Sequence, residues 1–327
     1  MYYTKEQALD EQNDLELLCK DRELKTSELC HWNAFYGLDK VLKLYAGIDI
    51  DYPLKMIIPH GIVFSDKVSD YEKYIKIPTI FNYSQHRLPA YLKAVPKKVI
   101  KGNSPFLYVC EMLKDLPTSK RSGTLFFLSH SSHHITVKPD FSDIITKLKK
   151  LGPEFQPVKI CVYWKDYHHG YHIPFEKAGF EVVSAGHMYD PKFLFRLYHL
   201  CTSFEYTSSN TIGSNLFYSL AAHCRFFYLD EVSVEYEFAL QIDKGFYGNK
   251  YIEEVKKTFR VTDKSMNASQ REMFNNYMGN PILSSTEVME CINEAESYYN
   301  SIKGRVVCNA LPFLRRWNAL VNKNKVS

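Results

Sequence analysis

The chain has 327 residues, of which 45% are hydrophobic and 24% charged, and this balance excludes an intrinsically disordered protein. Its formal net charge of +4 is too small to predict nucleic-acid binding, which usually requires a concentrated basic stripe. The length allows one or two compact domains, each with a sizeable core.

A membrane-spanning or exported protein is not expected either. No stretch of the sequence approaches the roughly 20 consecutive apolar residues that cross a bilayer. The segment Met1–Asp14 is polar and acidic, without the basic and apolar regions of a signal peptide. The eight cysteines are dispersed and form no Cys-x-x-Cys pair, a pattern typical of reduced thiols. We therefore expect a cytoplasmic protein.

The first part of the chain predicts helices, followed by alternating strands and helices. Apolar residues at helical spacing predict helices before residue 50, and the run Lys55–Phe64 predicts a strand that ends in a loop at Pro59-His60-Gly61. Further predicted elements are the strands Thr79–Tyr83 and Lys98–Ile100 and the helices Leu88–Ala94 and Phe106–Leu113. This order indicates a βα alternation.

From Gly123 onwards the alternation becomes regular. The predicted strands have nearly continuous apolar runs, and they are Thr124–Leu128, Val158–Trp164, Phe180–Ser184, Phe204–Thr207 and Arg225–Leu229. The predicted helices between them are Phe141–Leu151, Ile173–Ala178, Lys192–Thr202 and Ile212–Ala222. Buried strands separated by helices are typical of a parallel sheet that is covered on both faces.

Beyond Asp230 the pattern becomes helical and more polar. Helices are predicted within Val232–Phe259, with interruptions, and at Ser269–Met278 and Thr286–Tyr299. A break at Lys114–Ser122 indicates a domain boundary. We therefore predict an N-terminal α/β domain at 1–118, a C-terminal α/β domain at 119–300, and a helical tail at 301–327 that packs back on the first domain.

The tail is basic. Its cationic residues surround Trp317, and they are Arg315, Arg316, Lys323 and Lys325. Such a run is typical either of a solvated surface or of a peripheral contact with anionic lipid. The sequence leaves both interpretations open.

Polar residues follow the predicted strands at the end where ligands bind in open α/β sheets. The four polar segments are Ser129–His134, Lys165–Asp166, Ala185–Asp190 and Ser208–Ser214. Because the carboxyl ends of parallel strands share one edge, we expect these segments to converge on one rim.

The segment Ser208–Ser214 is the most specific of the four. Small hydroxyl side chains and backbone N–H groups at the start of a predicted helix favour an anion such as a phosphate. The same residues, Ser209 or Asn210 above all, could equally cap the helix, and the two roles are compatible.

Histidine clusters raise the question of a metal. The chain has 12 histidines, and the two clusters are His130, His133 and His134, and His168, His169 and His172. No zinc motif accompanies them, so we predict no metal site. His60 follows a strand and precedes a glycine, and it is either a catalytic base or a structural histidine.

Several segments together carry a family resemblance. Asn33–Lys40, Ile58–Gly61, Cys161–Asp166, Ser184–His187 and Thr207–Ser214 resemble a group of bacterial capsule and O-antigen proteins, and the wider pattern resembles GT-B glycosyltransferases. The resemblance covers roughly residues 33–230. It implies two Rossmann-like βα domains whose parallel sheets face each other across a cleft, followed by a helical tail.

The resemblance also implies substrates and site residues. A nucleotide-sugar donor is held by the second domain, a glycan or lipid-linked glycan acceptor by the first, and neither a metal nor another cofactor is required. The implied donor-binding residues are Ser129, His130, Ser131, Lys165, Gly186, His187, Ser208, Ser209, Asn210, Thr211, Gly213 and Ser214. Gly61 and Arg87 are implied on the acceptor side. His60 is the expected base, with Asp166 and Asp190 in reserve.

The sequence leaves the identity of the donor open. Ser129-His130 resembles a motif of CMP-sugar transferases for sialic acid or Kdo, but Ser131 stands where those enzymes have proline. A CDP-polyol phosphate transferase and a non-catalytic partner of a polysaccharide assembly complex are also compatible with the pattern. The acidic pair of better-known GT-B enzymes is not clear here, although acidic residues follow the last predicted strand, namely Asp230, Glu231, Glu235 and Glu237.

Overall fold

A computed structural model describes residues 14–116, 120–132, 135–229, 234–238 and 250–323. The chain divides into two compact units. The large unit comprises the described residues within 1–24 and 109–275, and the small unit comprises those within 25–108 and 276–327. Each unit is therefore built from two separate stretches of chain. The predicted domains, 1–118, 119–300 and the tail 301–327, are each one continuous stretch of chain, so their boundaries differ from those of the two units.

The elements up to residue 113 alternate between short helices and two strands. They are α1 Leu15–Cys19, a 3-10 helix at His31–Gly37, α2 Leu38–Ala46, α3 Asp70–Tyr74, β1 Thr79–Asn82, α4 Leu88–Ala94, β2 Lys98–Lys101 and α5 Pro105–Leu113. Side chains cap two of these helices where the sequence places cap residues. Asp14 accepts from the backbone of α1, and Ser69 and Glu72 form a reciprocal capping box on α3.

The middle of the chain contains most of the strands. Its elements are β3 Thr124–Phe127, β4 Ile135–Pro139, α6 Phe141–Lys149, a 3-10 turn at Pro153–Phe155, β5 Val158–Cys161, α7 Trp164–His168, α8 Ile173–Lys177, β6 Glu181–Val183, α9 Phe193–Thr202, β7 Tyr206–Ser209, α10 Ser214–Ala221, β8 Arg225–Tyr228 and β9 Val234–Phe238. The final helices are α11 Lys250–Thr258, α12 Ala268–Met278, α13 Ser285–Asn300 and α14 Ile302–Lys323.

The large unit is organised around a five-stranded parallel sheet in the order β6-β5-β3-β7-β8. The chain moves outward from β3 through β5 to β6, then returns to the other side of β3 for β7 and β8. The direction reverses between β3 and β7, and open α/β sheets bind ligands at such a switch point. The prediction of an α/β protein with a parallel sheet is confirmed.

Apolar side chains on the strands form the core of this sheet. Phe126 and Ile160 are fully buried and pack with Ile144, Leu148 and Phe175 from α6 and α8. Each strand has only three or four residues, so the polar residues that follow it are close in sequence to its buried core residues. The core thereby gives the site a rigid base.

The small unit has a two-stranded parallel sheet of β1 and β2. A third segment joins it at one residue, because the Ile57 N–H donates to the Thr79 carbonyl at 3.0 Å and the Phe81 N–H to the Ile57 carbonyl at 2.8 Å. Helix α13 packs on α2, β1 and β2, and α14 packs on α3 and α13.

Two sequence predictions are corrected by the structure. Lys55–Phe64 pairs only at Ile57, since Pro59 lacks an N–H and Gly61 takes a φ of +71°, which ends the extended run. The predicted helical region Val232–Phe259 contains strand β9, which pairs antiparallel with β4. Val234, Tyr236 and Phe238 alternate with glutamates, and this period of two is that of a strand.

Candidate functional site

The ends of β3 and β7 are locked together at the switch point. The Ser129 N–H donates to Oδ1 of Asn210 at 2.9 Å, and Nδ2 of Asn210 donates to Oγ of Ser129 at 2.9 Å. Both residues are buried. Both the oxygen and the nitrogen of the Asn210 amide therefore join the two strand ends. This role differs from helix capping and from phosphate binding, the two roles predicted from the sequence.

The residues on either side of Asn210 continue this lock. Oγ of Ser209 donates to the Phe127 carbonyl at 2.8 Å and accepts the Thr211 N–H at 3.2 Å. The Tyr228 hydroxyl donates to the Asn210 carbonyl at 2.9 Å. Ser208 is completely buried, and among the described residues its Oγ has no hydrogen-bond partner. These contacts fix the backbone that leads into α10.

The start of α10 is the accessible part of this segment. Thr211, Gly213 and Ser214 are partly exposed, whereas Ser208, Ser209 and Asn210 are buried. Gly213 is the N-cap residue of α10 and offers no side chain to the helix N–H groups. Its φ of −154° is ordinary extended backbone, so this glycine is not required by backbone conformation.

A second lock lies between β3 and β5. The buried Asp166 carboxylate accepts the Ser131 N–H at 3.0 Å and 3.2 Å, and Nζ of Lys165 donates to the Ser132 carbonyl at 2.7 Å. Burial raises the pKa of Asp166, while its contacts with Ser131 and the nearby charges of His130 and Lys165 oppose the shift. The arrangement makes Asp166 the support of the loop that carries His130.

His130 is the exposed residue of that loop. Its ring contacts the ring of Tyr163 edge-on, with the centroids 4.9 Å apart. Lys165 is only partly buried. The rim of the sheet thus carries one exposed imidazole and one partly exposed ammonium group near the start of the β3 and β5 loops. We call His130, Lys165 and Thr211–Ser214 the junction rim.

The loop after β6 is closed by ionic contacts. The buried Asp190 carboxylate lies 3.4 Å from Arg22 and 3.2 Å from Arg196. Gly186 takes a φ of +100°, and a Cβ there would lie 2.7 Å from the Arg196 guanidinium, so a glycine is required. Asp190 is thus held in ion pairs with both arginines.

His187 is packed within the same loop. Its ring lies 4.0 Å from that of Trp164, and its Nδ1 accepts the Tyr189 N–H at 3.0 Å. Burial lowers the pKa of His187 to about 4, so the ring is neutral at neutral pH. Because only 2% of the residue is exposed, His187 supports the loop from inside.

In the small unit, His60 lies in the loop that follows Ile57. Its ring contacts the edges of Trp32 and Phe35, at centroid distances of 5.1 Å and 5.7 Å. The Tyr83 hydroxyl holds the loop through the carbonyls of Pro59 and Gly61, at 3.0 Å and 2.6 Å. Burial lowers the pKa of His60 despite the carboxylate of Glu72, so its imidazole is neutral at neutral pH.

Arg87 belongs to a buried network beside this loop. Its Nη2 donates to Glu72 at 3.2 Å and to the Lys67 carbonyl at 3.0 Å, and its guanidinium lies over the ring of Tyr91. Burial by itself would raise the pKa of Glu72, but Arg87, the Tyr91 hydroxyl and Ser69 together outweigh it, so the pKa is lowered. Arg87 therefore anchors Glu72 from a buried position, with only 3% of the residue exposed.

Metal ligation receives no positive indication from the described residues. Within them, no three histidine, cysteine, aspartate or glutamate side chains are arranged to hold an ion. His168 contacts the Cys19 carbonyl at 2.8 Å, and His172 stacks on Tyr167. His133, His134, Asp230 and Glu231 lie outside the described residues.

The structure thus brings the predicted donor residues together in part. The loops after β3, β5 and β7 meet through the contacts of Ser129, Asp166 and Asn210. The loop after β6 contacts the segment after β5, because the His187 ring packs on that of Trp164. Tyr163 and Tyr228 were missed by sequence reasoning. The position of Tyr228 at the end of a predicted strand was the signal that could have found it.

No protein-family model, curated protein or solved structure matches the chain. A functional proposal for this protein therefore has to rest on its own residues.

Proposed function

We propose that the large unit binds a nucleotide-activated sugar at the junction rim, and that the protein is a metal-independent glycosyltransferase acting on a surface-polysaccharide acceptor. One observation carries the proposal. At the switch point of a parallel sheet, buried contacts lock the strand ends while leaving the start of α10, one imidazole and one ammonium group accessible.

The rim has the chemistry expected for a diphosphate. The first turn of α10 presents partial positive charge from its backbone N–H groups, and Gly213 provides no capping side chain to compete for them. Lys165 adds positive charge. Desolvation lowers the pKa of His130 despite the nearby Asp166 carboxylate, so its neutral imidazole can contribute a hydrogen bond rather than a charge. Donors of this kind stabilise a departing phosphate in place of a divalent cation.

The buried locks contribute by fixing the geometry in advance. Asn210 and Ser209 determine where the chain enters α10, and Asp166 determines the path of the loop that carries His130. A preorganised site avoids the cost of ordering its loops when the ligand binds.

The acceptor side of the proposal rests on the small unit. A neutral imidazole is the form that accepts a proton from an acceptor hydroxyl, and the lowered pKa of His60 keeps it in that form. Its aromatic neighbours and the Tyr83 hydroxyl fix the position of the ring and its loop. The GT-B arrangement of two facing domains is part of this proposal.

Nucleotide binding tests the donor site directly. We expect one of CMP, CDP, UDP and GDP to raise the melting temperature, since a ligand at 100 times its dissociation constant adds about 2.7 kcal/mol. His130→Gln should weaken that nucleotide at least ten-fold, while His223→Asn, at the other end of α10, should leave its affinity unchanged. The absence of stabilisation by all four nucleotides would contradict the donor site and favour a non-catalytic partner protein.

The nucleotide that binds also identifies the subclass. A response to CMP alone would favour a sialic acid or Kdo transferase, and a response to CDP alone a polyol phosphate transferase. Activity should survive EDTA, because the Lys165 ammonium group and the helix start are expected to neutralise the leaving group. Loss of activity on chelation, with recovery on added Mg²⁺, would contradict the proposed mechanism.

Turnover by a His60 variant tests the base. We expect His60→Gln to lower turnover by roughly 10²-fold, a typical contribution of general base catalysis, with nucleotide affinity unchanged. Glutamine keeps much of the volume between Trp32 and Phe35, so the loop should remain folded. Unchanged turnover in a folded variant would remove His60 from the mechanism.

A further inference from the structure

Helix α14 carries an exposed stripe of apolar side chains. Ile302, Val306, Phe313 and Trp317 are between 60% and 82% exposed. Their spacings of four, seven and four residues place them on one face of an α-helix. Large apolar residues exposed singly are normal, but two exposed apolar pairs on one helix face, on either side of the polar Asn309, mark an interaction surface.

The opposite face of α14 explains why this stripe points outward. Leu311 is fully buried, Gly304 is buried, and Sγ of Cys308 contacts the Lys76 carbonyl at 3.5 Å. A Cβ at Gly304 would collide with the Tyr298 carbonyl, so the start of the helix is pressed closely onto the preceding chain. The helix is therefore fixed to the small unit by one face, and the stripe remains on the other.

The charge along α14 has one sign. From Ile302 to Lys323 the helix contains no aspartate or glutamate, and its basic residues are Lys303, Arg305, Arg315, Arg316 and Lys323. Arg305, Arg315 and Arg316 are exposed, and none of them forms an ion pair with an acidic side chain in the described parts of the chain. The apolar stripe is thus accompanied by uncompensated positive charge.

The neighbouring helix α13 is acidic, but its charges are largely used within the small unit. Glu294 pairs with Lys98 at 2.6 Å, Glu296 accepts the Tyr52 hydroxyl, and Glu287 completes the capping box with Ser284. These carboxylates therefore have local partners and leave the basic charge of α14 available.

We propose that the exposed face of α14 docks on a membrane surface that contains anionic lipid. No helix of the described residues is both long and apolar enough to span a bilayer, so the contact would be a peripheral one. Exposed Phe and Trp side chains fit the boundary between headgroups and acyl chains, and the arginines fit anionic headgroups. A protein partner would explain the apolar stripe but would not by itself call for a helix with basic residues only.

Vesicle flotation of the full chain tests the proposal. We expect binding to phosphatidylcholine vesicles that contain phosphatidylglycerol, weak or no binding to phosphatidylcholine alone, and weaker binding as salt rises. Of the three tryptophans, Trp317 is 66% exposed, Trp32 is partly buried and Trp164 is 8% exposed. Vesicle binding should therefore shift the emission of Trp317 to shorter wavelengths, and Trp317→Phe should remove the shift while preserving binding.

Paired variants separate the apolar and the ionic contributions. Phe313→Ala with Trp317→Ala should weaken vesicle binding roughly 100-fold, because it removes the two aromatic side chains that membrane binding would bury. Arg305→Gln with Arg316→Gln, which removes the two exposed arginines that flank the stripe, should weaken it roughly 25-fold. The matched controls are Leu92→Ala, an exposed apolar residue of α4, and Lys149→Gln with Lys150→Gln at the end of α6. Neither control should change vesicle affinity.

Three results would overturn the proposal. The first is no binding to vesicles with or without phosphatidylglycerol. The second is vesicle binding by the Phe313→Ala, Trp317→Ala variant that equals binding by the parent protein. The third is self-association through Phe313 without any vesicle binding. The last result would make a second copy of the chain the occupant. All α14 variants should keep the nucleotide-dependent stabilisation of the parent protein, so failure here is distinguishable from failure of the donor site.

Discussion

The two loops proposed to carry function are held in place by different physics. At the β3–β7 junction, Ser129 and Asn210 exchange neutral hydrogen bonds. In the small unit, Asn33 fixes the backbone before His60 by accepting the Ile58 N–H at 2.8 Å and donating to the Met56 carbonyl at 2.9 Å. Asn33 in turn donates to Glu28, and this carboxylate belongs to a buried ionic network.

That network centres on a lysine with no solvent exposure. Nζ of Lys43 lies 2.5 Å from Glu28 and 3.1 Å from Asp39, and all three side chains are almost completely buried. Burial raises the pKa of Glu28, and the Lys43 charge offsets this only in part. Hydrogen bonds between neutral groups do not depend on the protonation state of a side chain. Removing one partner of a buried ion pair, by contrast, leaves an uncompensated charge in the core, which is costly. The comparison therefore predicts unequal sensitivity of the two regions.

The largest expected effect comes from Lys43→Met. It leaves the buried Glu28 carboxylate without its cation and Asp39 with only Lys40, 3.6 Å away, and we expect a loss of about 3–5 kcal/mol in the free energy of unfolding. The matched control is Lys159→Met, which breaks the surface pair between Lys159 and Glu181 and should cost at most about 1 kcal/mol. Urea unfolding measures both. Equal losses would abolish the distinction between buried and exposed ion pairs here.

The next largest effect is a pH dependence in the large unit through His187. Its folded pKa of about 4 lies below the unfolded value of 6.5. The contribution of His187 to stability is therefore present above pH 6.5 and is lost as pH falls towards 4, with a slope of up to about 1.4 kcal/mol per pH unit. His187→Gln should flatten that part of the stability curve. An unchanged slope would show that His187 is solvated in the folded state.

Removing the neutral lock should cost less than breaking the ionic one. Asn210→Ala leaves the buried N–H and hydroxyl of Ser129 without their partners, and we expect a loss of about 1–3 kcal/mol. Asn215→Ala is the control, because Nδ2 of Asn215 has no partner among the described residues. A control as destabilised as Asn210→Ala would show that the junction contacts are not what stabilises this region.

The smallest effects concern the two glycines beside the proposed sites. Gly61 has a φ of +71°, so Gly61→Ala should destabilise by about 1–2 kcal/mol. Gly213 is extended, and a Cβ there meets only the movable Oδ1 of Asn215, so Gly213→Ala should stay within about 0.5 kcal/mol of the parent. Thermal unfolding distinguishes the two. Similar losses would indicate that the side chains around Gly213 leave no room for a methyl group, although its backbone conformation allows one.

Much of the fold follows from local sequence patterns. The continuous apolar runs predicted all five strands of the sheet, with the boundaries shifted by up to three residues. The largest shift is at β5, which ends at Cys161, whereas the predicted strand ran to Trp164, the first residue of α7. The order of those strands could not be predicted, because it depends on crossovers between distant segments. The prediction of helices within Val232–Phe259 was wrong at β9, because five residues that alternate between apolar and acidic are a short signal beside the polar, helical pattern that follows.

The site was less predictable than the fold. Its polar loops were found from their position after strands, but sequence does not show which side chains turn inward. Asn210 and Asp166 look like ligand-binding residues in the sequence and are used by the structure as internal supports. His187 and Arg87 likewise have partners that are remote in sequence, such as Leu18 for the His187 N–H. Burial of this kind arises from tertiary contacts.

The lock between Ser129 and Asn210 also has a consequence for the order of folding. It joins residues separated by 81 positions, so it can close only after the chain has completed β5, β6 and β7. Contacts of such long range form slowly because a large loop must be ordered first. The binding surface of the large unit should therefore be among the last parts to mature, and a chain that ends before β7 would have the strands of a site without its geometry.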